Sequence, residues 1–254
     1  MTIALLCFFA FLAGFIDAQV GGGGLIQLPA MVLLLPDVPY ATILGTGKVA
    51  SLAGTAAALR RYLSGPEAVP LRWRTVAITA LVAGGLALVG ARAASSLHKE
   101  AVRPLVLVLL SVMAIYTLWR KDFGSQHAPR LHGRREILTG VVLGAAIGFY
   151  DGFFGPGTGS LLLFAFVGLF GYDFLTASAS AKFVNVATNI AGLAFFISTG
   201  QVLYQVALPM AACNMLGSTL GARLALRLGT GFVRVLFLGV VGAFIVKLGW
   251  DTFA

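Results

Sequence analysis

The chain reads as an all-α polytopic membrane protein made of two inverted repeats, each a glycine-broken helical hairpin plus about three full transmembrane helices. Three observations carry that expectation. Of 254 residues, 59% are hydrophobic and only 11% are charged, whereas a soluble domain carries about 25% charged residues. Long apolar runs succeed one another with short connections between them. The runs also come twice, in one order, with the same rare charges inside them.

Residues 1–36 hold a single charge, Asp17. A straight helix of that length would span about 54 Å, against a hydrocarbon core about 30 Å thick. The run must therefore fold back, and Gly21-Gly22-Gly23-Gly24 marks the place, because glycine is a poor helix former that admits positive φ. No basic segment and cleavage site frame this run, so it is expected to be structure rather than a leader. Further apolar runs lie at 40–59, 75–91, 104–119, 137–170, 174–198, 204–222 and 235–250. The run 137–170 is again too long for one helix and breaks at Gly155-Pro156-Gly157-Thr158-Gly159.

A shift of 134 residues superposes Gly14-Phe15-Ile16-Asp17 on Gly148-Phe149-Tyr150-Asp151, Gly21 on Gly155, Gly23 on Gly157 and Lys48 on Lys182. A shift of 131 then places Gly90-Ala91-Arg92 on Gly221-Ala222-Arg223. Glycine matches are cheap in this composition; two intramembrane Asp and two intramembrane Lys at one offset are not. The expected division is a first repeat at 1–119, a cytoplasmic linker at 120–136 and a second repeat at 137–254. Positive loops favour the cytoplasm. Segments 60–74, 120–136 and 223–234 hold 12 Lys and Arg, and the opposite side holds Arg92, Lys99, Arg103 and Lys247. Loop 60–74 is basic while its equivalent, 198–204, is uncharged, which points to inverted halves with both termini periplasmic.

Four constellations are candidates for chemistry. Asp17 and Asp151 each precede a glycine break by four residues, placing them either to couple or gate transport or to cap the broken helix. Lys48 and Lys182 sit within the next run, where an ammonium offers three donors to an anion or pairs with an Asp of either repeat. The breaks themselves, at Gly23, Gly24, Gly157 and Thr158, present helix N-termini that favour an anion, with Gln27 and Ser160 just beyond. Lys182, Asn185 and Asn189 share one helical face with Ser178, and the matching face of the first half carries Lys48, Ser51, Leu52 and Thr55. Asn214 and Ser218, four apart on the following helix, are candidates for the same cavity.

Cys7 and Cys213 lie in apolar runs without metal-ligand neighbours, and His98, His127 and His132 lie in loops. Neither a P-loop nor a dinucleotide fingerprint is spelled out. No cofactor, metal or nucleic-acid partner is therefore expected; the partners are a small anion, protons and the lipid bilayer, and small-residue helix faces are numerous enough for a homodimer.

At GFIDAQVGGGGLIQLP with TGKVASLAGT, and at GFYDGFFGPGTGSLLL with SAKFVNVATNIAGLAFF, the chain resembles the TauE/SafE family of sulfite and organosulfonate exporters, from about residue 5 to 250. It departs from exact internal symmetry at Ser51 against Asn185 and at Gly22 against Pro156. The resemblance implies a carrier of small sulfur-containing or carboxylated anions in the bacterial inner membrane. The residues themselves admit three readings: a secondary anion transporter, a passive anion channel, and a sulfur-relay component that would need a reactive cysteine.

Overall fold

The computed structural model describes residues 1–64, 68–95 and 128–228, and among these all regular structure is helical. The helices are α1 (Thr2–Val20), α2 (Gly24–Leu34), α3 (Tyr40–Leu63), α4 (Trp73–Ala94), α5 (Gly133–Phe153), α6 (Thr158–Gly168), α7 (Phe174–Ser198) and α8 (Tyr204–Leu228). Their bounds follow the apolar runs, and both overlong runs break at their glycines. The runs at 104–119 and 235–250, residues 120–127 of the linker, and Lys99, Arg103, Arg234 and Lys247 lie outside the described residues.

Four of these helices, α1, α4, α5 and α7, are long and apolar enough to cross a membrane. In each broken run the first arm is thus long enough for a full span, while the second arm has 11 residues, about 16 Å or half the hydrocarbon thickness. The longer helices α3 and α8 have 24 and 25 residues; α3 carries Lys48 and ends on Arg60 and Arg61.

The halves interlock rather than sit side by side. α1 packs on α8, and its repeat mate α5 packs on α4; likewise α3 packs on α8, and its mate α7 on α4. Small residues make this possible. A Cβ at Gly144, Gly148 or Gly152 of α5 would strike the backbone of α4 at Thr79, Ala83 or Ala87, and one at Gly217 or Gly221 of α8 would strike α1 at Phe11 or Phe15. Close backbone approach through small residues is the usual way helices associate where lipid removes the hydrophobic drive. Leu81, Leu88, Leu138, Val142, Ile190 and Leu216 remain exposed, as lipid-facing side chains would be.

At one end the halves are tied by charge. Arg72 Nη1 lies 2.9 Å from Glu136 Oε2, the Tyr172 hydroxyl donates to Glu136 Oε1 at 2.9 Å, and Arg72 also reaches the Leu131 carbonyl at 3.5 Å. Arg72 is therefore a structural tie as well as part of a basic loop. Asp173 caps α7 by accepting from the Thr176 amide at 3.0 Å and its hydroxyl at 2.6 Å.

Candidate functional site

The site begins at the two breaks. After α1 the chain turns through Gly21 and Gly22 at φ 73° and 85°, and after α5 through Gly155 and Gly157 at φ 88° and 83°. A side chain held at such φ costs about 1–2 kcal/mol. Space is short as well: a Cβ at Gly21 would meet the Gly159 backbone, and one at Gly24 the Pro156 backbone. The two breaks lie against each other at the contact between halves.

Each Asp pairs with the Lys of the other half. Lys48 Nζ lies 2.7 Å from Asp151 Oδ2, and Lys182 Nζ 2.6 Å from Asp17 Oδ2. Of the two partners that spacing left open, the structure selects the cross-repeat one. An unpaired charge here would be expensive, and each pair neutralises itself.

The pairs are not equivalent in what else holds them. Asp17 Oδ1 accepts the Gly23 amide at 3.1 Å, so this carboxylate caps the break as well as pairing. Lys182 also donates to the Asp17 main-chain carbonyl. The next three carbonyls of α1 are taken by the hydroxyls of Tyr62 on Ala18 at 2.8 Å, Ser178 on Gln19 at 3.3 Å and Ser160 on Val20 at 3.0 Å. These are the carbonyls a helix end leaves without intrahelical partners, and a cation is favoured beside them. At the repeat-equivalent positions stand Phe196, Leu44 and Ile26, none with a hydroxyl to offer α5. Asp151 Oδ1, by contrast, accepts no hydrogen bond among the described residues. Lys48 makes one further contact, donating to Asn189 Oδ1 at 3.4 Å.

A cavity of about 60 Å³ opens beside Asp151. At about 10–15 Å³ per water position it admits a few waters or one small polyatomic anion. The first half lines it with Asp17, the backbone from Gly22 to Gly24, Gln27, Leu28 and Met31 of α2, and Ile43, Leu44, Gly47, Lys48, Ser51 and Thr55 of α3. The second half adds Asp151, Phe154, the segment from Gly155 to Gly159, Asn185, Asn189 and Asn214. Asp17, Gly23, Gly24, Gln27, Lys48, Ser51, Asp151, Gly157, Thr158, Asn185 and Asn189 are thus brought to one wall, as is Asn214. Lys182 is not: it is 2% exposed and turned to the end of α1. Ser218 and Ser160 also stay off the wall, Ser218 bonding the Gly14 carbonyl at 3.1 Å.

The two halves do not line the cavity alike. Gln27, Leu28, Met31, Ile43 and Leu44 line it, but their repeat mates Leu161, Leu162, Ala165, Ala177 and Ser178 do not. Its polar wall is internally braced. The Asn214 amide donates to Gln27 Oε1 at 2.9 Å, Gln27 Nε2 to the Gly47 carbonyl at 2.9 Å, and Asn189 Nδ2 to Asn185 Oδ1 at 3.1 Å. Gly54 leaves room for the Asn214 amide and Gly192 for the Lys48 stem. Residue types missed by a search for polar groups are the apolar ones, Leu28, Met31, Ile43, Leu44 and Phe154; only the sequence neighbourhood of the breaks points to them. Among the described residues no three His, Cys, Asp or Glu side chains cluster to hold a metal ion.

Polar groups held this way, on broken helices, suit a transport site, and known proteins similar to this chain carry transporter names. The family described as sulfite exporter TauE/SafE matches residues 6–248. A probable membrane transporter protein of Haemophilus influenzae is 35% identical, covering 98% of this chain and 95% of the relative. Another from a Sinorhizobium species is 35% identical over 97% and 92%, and the probable membrane transporter protein YfcA of Escherichia coli is 32% identical over 99% and 91%. No solved structure matches. With its family pattern matched nearly end to end, and its spans and buried ion pairs in place, the chain is a membrane transporter belonging to the sulfite exporter TauE/SafE family.

Proposed function

We propose that this protein is a secondary transporter that exports a small anion, namely sulfite, an organosulfonate or a related small carboxylate, across the bacterial inner membrane with proton coupling. The observation that carries the reading is Lys48. Among the described residues it is the one cation on the cavity wall, and it stands beside the Asn185 and Asn189 amides and the backbone of both breaks. A three-oxygen head group suits an ammonium with three donors and the first amides of α2 and α6. The halves are read as inverted, with both termini periplasmic, on the strength of the loop charges.

The test is tracer flux in proteoliposomes with sulfite, methanesulfonate and acetate under an imposed pH gradient, for the parent and Lys48→Ala. Saturable uphill flux of one anion, lost in the variant, supports the carrier. Flux that neither saturates nor runs uphill supports a passive anion channel instead. Absence of flux for all three refutes the anion reading.

A further inference from the structure

We infer that Asp151 is an internal competitor for the substrate's place on Lys48, so that one anion enters the cavity only together with one proton, which Asp151 takes. This rests on the anion-transporter reading and names how that site works.

In the present arrangement the Lys48 ammonium already binds a carboxylate, that of Asp151, at 2.7 Å. The cavity wall therefore carries no unpaired positive charge among the described residues. An anion placed beside this pair would bring a second negative charge to one ammonium in a site sheltered from water, and such a charge is costly. Two arrangements avoid the cost: the anion stays out, or Asp151 gives up its charge. When Asp151 Oδ takes a proton, Lys48 keeps its own, the anion supplies the missing negative charge, and the cavity stays neutral. What Lys48 then meets is a carboxylate or sulfonate head of the same charge as the one it released.

The same exchange does not work at the other pair, and that is why Asp151 rather than Asp17 is assigned. Asp17 is held by the Gly23 amide and by Lys182. Lys182 is bound to the main-chain carbonyl of Asp17 and lies off the cavity wall. Neutralising Asp17 would not turn Lys182 toward an anion. Asp151 has Lys48 as its one hydrogen-bond partner among the described residues, and Lys48 lines the cavity.

The charged and titratable groups around Asp151 are few. Lys48 comes from α3, with Tyr40 at the start of the same helix standing beside Tyr150 of α5. The Tyr150 hydroxyl donates to the Pro156 carbonyl at 2.5 Å. Asp17 also lines the cavity, and its partner Lys182 lies off the wall. α7 contributes the neutral amides of Asn185 and Asn189, α6 contributes Thr158, whose hydroxyl donates to the Gly155 carbonyl, and α4 brings Ala87, Gly90 and Ala91 against this end of α5. No second carboxylate stands beside Lys48 among the described residues to take the proton instead. Coupling of this kind is symport: anion and proton cross in the same direction, so export runs on the anion accumulated inside and works against an inward proton gradient.

The experiment uses the full chain in lipid nanodiscs. Binding of labelled methanesulfonate, whose head group does not titrate near neutral pH, is measured by equilibrium dialysis from pH 6 to 9, with acetate in parallel. Proton uptake on adding either anion is read with a pH dye in weak buffer. The expected result is one proton taken up per anion bound and an apparent affinity that weakens about tenfold per pH unit on the alkaline side. Asp151→Asn is expected to bind at all these pH values with no proton uptake. Asp151→Glu, which keeps a carboxyl group should the Asn variant fail to fold, is expected to restore uptake. Anion binding without proton uptake in the parent, or unchanged uptake in Asp151→Asn, overturns this inference while leaving an anion site standing. No binding of either anion overturns both readings.

Discussion

Lys48→Met tests the cross-repeat pairing most directly. Asp151 has its side chain 3% exposed, and the ammonium 2.7 Å away is its one donor among the described residues. Removing one partner of a buried pair leaves an uncompensated charge and costs about 3–5 kcal/mol. Asp151→Leu alone strands the lysine, which keeps Asn189 Oδ1 at 3.4 Å. The double variant strands neither and is expected to be less destabilised than Lys48→Met alone, giving a coupling energy of about 2 kcal/mol or more. Unfolding titrated with sodium dodecyl sulfate in mixed micelles and followed by circular dichroism measures all four species. Lys48→Met combined with Asp17→Asn is the control, and its effects are expected to add within about 0.5 kcal/mol. Additive effects for Lys48 with Asp151, joined to strong coupling for Lys48 with Asp17, would refute the exchange of partners between halves.

Other substitutions probe the supports of the site. Gly54→Ala places a methyl group on the Asn214 amide and the Ser218 hydroxyl; a loss of about 1–3 kcal/mol is expected in the same titration. Gly157→Ala keeps volume small but forces a side chain to φ 83°, for a cost of about 1–2 kcal/mol and reduced flux. Tyr62→Phe frees the Ala18 carbonyl and is expected to lower stability by about 1 kcal/mol. Cys7 and Cys213 meet across α1 and α8, away from the cavity wall. Replacing both with Ala is expected to leave anion flux within about twofold; loss of transport would favour the sulfur-relay reading that depends on a thiolate.

Much of the fold could be read from the chain because lipid allows so few ways to satisfy a backbone. A 36-residue apolar run had to turn, and only glycine clusters offered the place. The repeat exposed Asp17, Asp151, Lys48 and Lys182 because charges are rare inside such runs. What could not be read was the division of labour among them. Asp17 and Asp151 stand at the same distance from their breaks and look alike in sequence. They differ because Tyr62, Ser178 and Ser160 supply hydroxyls to one helix end, and Phe196, Leu44 and Ile26 cannot do so at the other. Those three residues lie on three different helices, so no local pattern joins them. Lys182 shares a helical face with Asn185 and Asn189, yet the end of α1 claims it while the amides face the cavity. The tie of Arg72, Glu136 and Tyr172 was equally hidden, its members lying 36 and 64 residues apart in the chain.

The exchange of ion-pair partners also sets a schedule for biosynthesis. Asp17 enters the membrane 165 residues ahead of the lysine that neutralises it, and Lys48 precedes its carboxylate by 103. At about 5–20 residues per second, Asp17 waits about 10–30 s and Lys48 about 5–20 s. Through that interval each charge must be sheltered by the insertion machinery or, for the acid, carried as its neutral form. A nascent chain stalled after the first half holds both charges with no partners from the second, and quality-control proteases are expected to clear it. Insertion of this protein is therefore completed by its second half, and the first is only committed to the bilayer when α7 arrives.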